Sequence, residues 1–196
     1  MTDKQLDQIK EFVKSLDPKI DQFHDSRHAE LTVTYALLLA NDYPETDLKL
    51  LEAACWLHDI GRINVDEGHA YESAKLAKPF LENIHFPSHE TEAIIHAVYV
   101  HNPKDIHTAQ SIEAKLLFDA DKIQQLSVFG FIRAINFQTA ILHQDLLEII
   151  EKRWQKIQDI QKHLQTDRAK EILEPEMKKI EQLVNAFKNG ANGTLS

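Results

Sequence analysis

The sequence predicts an all-α protein, a single domain built as a helical bundle. Three observations carry this. Leu, Ile, Ala, Glu, Lys and Gln dominate the composition, and these residues enter helices at little cost. Glycine (5) and proline (6) are too scarce in 196 residues for a strand-and-turn architecture. Apolar residues recur at helical spacing in one segment after another, and no alternating run of strand type stands out.

The elements follow in chain order. KQLDQIKEFVKSL is amphipathic and stops before Asp17-Pro18. SRHAELTVTYALLLAND follows a cap at Asp25 or Ser26. TDLKLLEAACWLHD starts after Pro44 and ends near Gly61, a natural helix stop. HAYESAKLAKPFLENI comes next, then SHETEAIIHAVYVHN, with Ser88 as its cap and Pro103 just past its end. AQSIEAKLLFDADKIQQLS leads into a shorter piece around Gly130. From about Ile141 the pattern is again helical, through DLLEIIEKRWQKIQDIQKHL. The last helix, DRAKEILEPEMKKIEQLVNAF, takes Thr166 as cap, and Pro175 is expected to kink or break it. The expected layout is an N-terminal helix over 1–20, a core over 21–135, further helices of the same domain over 136–190 and a loose tail over 191–196. No repeat, low-complexity segment or linker long enough to separate domains interrupts it.

Hydrophobic residues make up 43% of the chain, enough for a real core. The single cysteine, Cys55, excludes an internal disulfide and suits a reducing compartment. No apolar run reaches the roughly 18 residues of a membrane span, and MTDKQLDQIK has no apolar signal core, so a cytoplasmic protein without membrane contact is expected. The net charge of −9 and the lack of a basic face exclude a nucleic-acid polymer as partner. They do not exclude a small anionic substrate bridged by a cation. Eleven histidines point toward chemistry.

AACWLHDIGR carries a histidine and an aspartate into an apolar stretch, where burial costs several kcal/mol unless they are paired or bound to a metal. His58 continues the stripe of Leu51, Ala54 and Cys55, with Asp59 next at the helix end. His28 lies on the stripe of Leu31, Thr32, Tyr35 and Leu39, and Asp121 on that of Ala114, Leu117 and Phe118. Three helices thus each aim ligand-type groups inward. Two imidazoles with two carboxylates suit Mn, Fe, Zn or Mg. His69 (with Ser73, Leu76 and Phe80) and His101 (with Ile94, Ala97 and Val98) also pass the stripe test, as does His143, which is read as a core or helix-start histidine. His96 lies close to 200° from Ile94 at about 100° per residue and fails it. His24, His85, His89 and His107 fall in loops or near caps and read as solvated. Each buried histidine taken alone is more often a hydrogen-bonded core residue than a ligand. The coincidence with two buried carboxylates favours the ligand reading.

The ordered set His28, His58-Asp59 and Asp121 resembles the HD superfamily of metal-dependent phosphohydrolases. WLHDIGR looks like its HD signature, and HAYESAKLA and AVYVHN resemble its downstream histidine segments. LLFDADKIQQLS is similar to its D-A-D-K/R-L-D motif, with the Gln124-Gln125 pair where the aspartate after D-A-D-K/R-L is usual. The C-terminal helices and LSVFGFIRAI resemble a bacterial subgroup linked to nucleotide pyrophosphohydrolysis. The resemblance implies an HD-type helical bundle with His28, His58, Asp59 and Asp121 around a divalent ion (Mn, Fe, Mg, Zn, Co or Ni). Some HD relatives hold two ions, using histidines where His69 and His101 stand.

On this reading Asp59 also orients water, and His69 or His101 protonates the leaving oxygen or holds phosphate. Lys122, Arg133 and Arg62 are candidates for the substrate's charge, each with a plain alternative in a surface ion pair or a helix end. The implied substrate is a small phosphorylated molecule of nucleotide type, and a homodimer is one assembly compatible with the chain. HDIGRI lacks the glutamate of stringent-response hydrolases, and no G-Y-P follows His101 as in cyclic-di-GMP-type phosphodiesterases. Two competing readings are an inactive HD-fold module that binds a nucleotide or protein, and a helical structural protein with histidines in its core.

Overall fold

The computed structural model describes residues 1–21, 23–140 and 145–194. Among these the regular structure is entirely helical, in nine α-helices with three short 3-10 turns, which bears out the all-α reading. The chain divides into two compact units, Met1–Asp121 and Lys122–Ser196. Each is taken by itself.

In the first unit α1 (Asp3–Leu16) is closed at its start by a capping box between Thr2 and Gln5. Its inner face, Leu6, Ile9 and Val13, packs on α3 (Leu48–Leu57). From Leu50 to Leu57 only Glu52 escapes full burial in α3, so α3 is the central helix of the unit. α2 (Ser26–Ala40) and α5 (Ser88–Val100) pack against it, and α4 (His69–Asn83) pairs with α5. α6 (Ile112–Leu126) carries the last residues of this unit and the first of the next.

Of the two caps expected for α2, Asp25 serves, its carboxylate accepting from Arg27 N. Two other ends differ from the expectation. α5 starts at Ser88 with Pro87 in the cap position, and no side chain caps it. α3 stops at Leu57 rather than near Gly61, and a 3-10 turn over Ile60–Ile63 follows.

Gly61 is therefore no helix stop; its role is close approach. A Cβ there would lie 2.5 Å from both His69 O and Ser73 N, and Gly61 N donates to Ser73 Oγ at 2.8 Å. The turn is thus clamped onto the first two turns of α4. Gly61→Ala is expected to destabilise the fold by about 1–3 kcal/mol or more, since backbone rather than a flexible side chain must give way. Urea unfolding of the two proteins measures it; an unchanged midpoint would mean the clamp yields freely.

In the second unit α7 (Val128–Ala140) follows the end of α6 with only Ser127 between them, and Phe131 N bonds to Ser127 O in its first turn. It runs longer than the short piece expected around Gly130. α8 (Leu146–Gln161) is capped by Asp145, and α9 (Asp167–Ala191) by Thr166. α9 continues through Pro175 without a break and reaches Ala191. Its buried stripe of Ala169, Leu173, Met177, Ile180 and Val184 passes the proline unchanged, so packing outweighs one missing backbone donor. His143 and the onset expected at Ile141 lie outside the described residues. No helix among the described residues is long and apolar enough to cross a membrane.

Candidate metal centre

Residues 58 and 59 would diverge by about 100° on a continuous helix. They converge because α3 ends between them. His58 is the C-cap in helical conformation, and Asp59 falls to φ −111°, ψ 6°, outside the helix. His28 arrives from the first turn of α2. That turn is pinned by Asp17, whose carboxylate accepts from both Ser26 N (2.8 Å) and Ser26 Oγ (2.6 Å). His101 is the C-cap of α5, and His69 opens α4 after Gly68, whose φ of 78° favours glycine. Asp121 comes from α6.

Three of these rings share one device. Nδ1 of His58, His69 and His101 each meets the carbonyl oxygen three residues earlier, at Cys55 (2.7 Å), Asp66 (2.9 Å) and Val98 (2.5 Å). A carbonyl can only accept, so Nδ1 carries the hydrogen and Nε2 presents a lone pair. Burial keeps His58 neutral, its pKa pushed down to about 3, and likewise His69, down to about 4.

Those lone pairs converge on Asp59. His28 Nε2 lies 3.1 Å from His58 Nε2, 3.5 Å from Asp59 Oδ2 and 3.5 Å from Asp121 Oδ1; His58 Nε2 lies 3.6 Å from Asp59 Oδ2. Two donors about 2.1 Å from one ion lie about 3.0–3.4 Å apart, close to the spacing here. Burial alone would lower the pKa of His28, but the Asp121 and Asp59 carboxylates outweigh it and raise it to about 9. His28 thus carries a proton into a group of acceptors that calls for a positive charge.

On the other side of Asp59, Oδ1 lies 3.3 Å from His69 Nε2 and 3.6 Å from His101 Nε2. Asp59 Oδ1 and His101 Nε2 are buried and have no hydrogen-bond partner. Burial opposes the charge on Asp59, yet the Arg62 guanidinium and the His28 ring beside it hold its carboxyl well below the usual range. His28, His58 and Asp59 form one ligand-type group, and Asp59, His69 and His101 another. Orphaned buried acceptors and neutral imidazoles of fixed tautomer fit a divalent cation.

Of the residues singled out from sequence, His28, His58, Asp59, Arg62, His69, His101 and Asp121 meet in the first unit. Arg62 Nε lies 2.9 Å from Asp59 Oδ2. Lys122 and Arg133 belong to the second unit; Lys122 is buried and the Arg133 guanidinium lies over the Phe129 ring. His96 stands apart from the cluster, near Gln110 N. His24, read as solvated, is corrected: its ring meets that of His28 edge-on at 5.7 Å, and its Nδ1 lies 2.8 Å from Asp21 Oδ2. It precedes α2, where no helical stripe could have flagged it.

The HD domain model matches residues 26–126. The chain belongs to the HD domain family. The fold is also that of solved proteins similar along nearly their whole length. One is YpgQ of Bacillus subtilis, solved in complex with ADP (TM-score 0.75, 22% identity, 95% of each chain covered). A protein of Lactobacillus plantarum is similar at TM-score 0.78 and 20% identity, with 98% of this chain and 99% of that one covered. An HD-superfamily hydrolase of Bacillus thuringiensis matches at TM-score 0.73 and 21% identity, with 97% and 98% covered. No curated protein gave a significant match.

Proposed function

We propose that the protein is a metal-dependent phosphohydrolase acting on a nucleotide or a related small phosphate. The carrying observation is the convergence of His28 Nε2, His58 Nε2 and Asp59 Oδ2 at 3.1–3.6 Å, with Asp121 Oδ1 reaching the group through His28 Nε2 at 3.5 Å. These four would hold the ion. A divalent ion there supplies Lewis acidity, making hydroxide available near neutral pH and drawing charge from a phosphoryl group.

The chain's own residues do the rest. Asp59 Oδ1 and His101 Nε2, two orphaned acceptors 3.6 Å apart, can each accept one O–H of the same water. They orient it and receive its proton as it attacks. Arg62 has guanidinium N–H groups left for phosphoryl oxygens after meeting Asp59 and His69. His69 holds Arg62 rather than standing free as an acid. YpgQ's complex with ADP supports a nucleotide as substrate class. The inactive-module reading is disfavoured because no ligand position is lost.

Phosphate and pyrophosphate release from a nucleotide panel, with Mn, Mg, Co or Ni added, tests the proposal. Release that needs both the metal and His58 supports it, and none across the panel overturns it. A chelator should also lower the melting temperature, because a ligand bound only by the folded state stabilises it by about 2.7 kcal/mol at 100 times its Kd. For a chain of this size that is roughly 5–10 °C. Asp59→Ala should abolish the response, and equal melting with chelator and with saturating Mn would count against a buried centre.

A further inference from the structure

We propose that Arg62 takes the place of a second metal ion, so that the centre is one ion and one guanidinium rather than two ions. The inference rests on the metal-holding reading above. Asp59, His69 and His101 have the donor set and spacing of a second ion site. The guanidinium of Arg62 is in contact with two members of that set, Asp59 and His69. Its Nε is 2.9 Å from Asp59 Oδ2, and its Nη2 is 3.2 Å from His69 Nε2.

Because His69 Nδ1 is committed to the Asp66 carbonyl, Nε2 is the ring's one lone pair, and Arg62 donates into it. An ion at the second group would have to take that lone pair from a guanidinium that cannot lose its charge. It would then stand close to a fixed positive charge on the same carboxylate. Two ions sharing a carboxylate sit about 3.5–4 Å apart and neutralise it together; here a permanent single charge from the chain stands in for the second of them. Arg62 is well placed for this. It follows Asp59 by three residues in the 3-10 turn that Gly61 presses against α4, the helix that His69 opens. The local fold therefore delivers guanidinium and imidazole to each other without help from a distant element. Unlike an ion, Arg62 offers directional N–H groups for a phosphoryl oxygen.

The test is metal stoichiometry in the full chain, stripped with chelator, reloaded with excess Mn and desalted. Elemental analysis counts ions per folded chain, and electron paramagnetic resonance separates an isolated Mn from a spin-coupled pair. Wild type should hold one ion with an isolated-ion spectrum. Arg62→Ala should hold two, spin-coupled, and Arg62→Ala/His69→Ala should return to one. His69→Ala alone should keep the wild-type count, a readout available even if Arg62→Ala does not fold. Two ions in wild type, one ion in folded Arg62→Ala, or loss of an ion in His69→Ala overturns the inference. No ion in wild type overturns the metal-centre reading itself, and this inference with it.

Discussion

His58→Ala is expected to empty the centre. Wild-type protein reloaded with Mn should retain its ion through desalting, and the variant should lose most of it. His58 is fully buried, its Nε2 faces His28 and Asp59, and its tautomer is set by Cys55 O. Changing an outer partner of a metal ligand already costs about 10–100-fold in affinity; removing the ligand itself should cost more than 100-fold. Hydrolysis of the best nucleotide in the panel should fall in parallel, and circular dichroism should show the helices retained. Equal metal content in the two proteins would exclude His58 as a ligand.

The second large effect separates two histidines five residues apart on or next to α5. His101→Ala should lower turnover by roughly 10²-fold or more, the usual scale for losing a group that handles a proton at the reacting centre. His96→Ala should change it little. His101 is buried, with an unpartnered Nε2 beside Asp59 Oδ1; His96 lies on the outer side of the same helix, near Gln110 N. Activity per folded molecule is the measure. If His101 were only a packed core residue, its loss would lower stability and leave specific activity alone. Equal activity in the two variants would remove His101 from the mechanism.

Much of this was legible in the sequence. The helices declare themselves by apolar period, and His28, Asp121 and His101 lie on stripes that the fold does turn inward. What escaped lies where the period stops. Asp59 reaches His58 only because α3 ends between them, and a stripe argument that carries the helix to Gly61 has no account of their convergence. His24 sits in a loop, where side-chain direction is set by tertiary clamps rather than by residue spacing; Arg62 is a candidate from sequence, but its contacts with Asp59 and His69 come from a 3-10 turn that spacing does not reveal. The tightness that forces glycine at 61 depends on the backbone of α4, which sequence spacing does not reveal. At Pro175 the break that the local signal allowed does not occur, because a buried stripe continues on both sides of it.

The carbonyl supports of His58, His69 and His101 bear on how such a centre changes over evolutionary time. Metal-site histidines elsewhere commonly rest on a carboxylate side chain, and a single point mutation can delete such a support. Here the support is main chain, supplied three positions upstream by a cysteine, an aspartate and a valine that share no chemistry. Any residue that keeps the local backbone conformation serves equally well. The identities of these three neighbours are therefore free to drift while the rings stay aimed. Each histidine with the peptide unit behind it forms a four-residue cassette that can persist in distant descendants with no recognisable partner residue beside it.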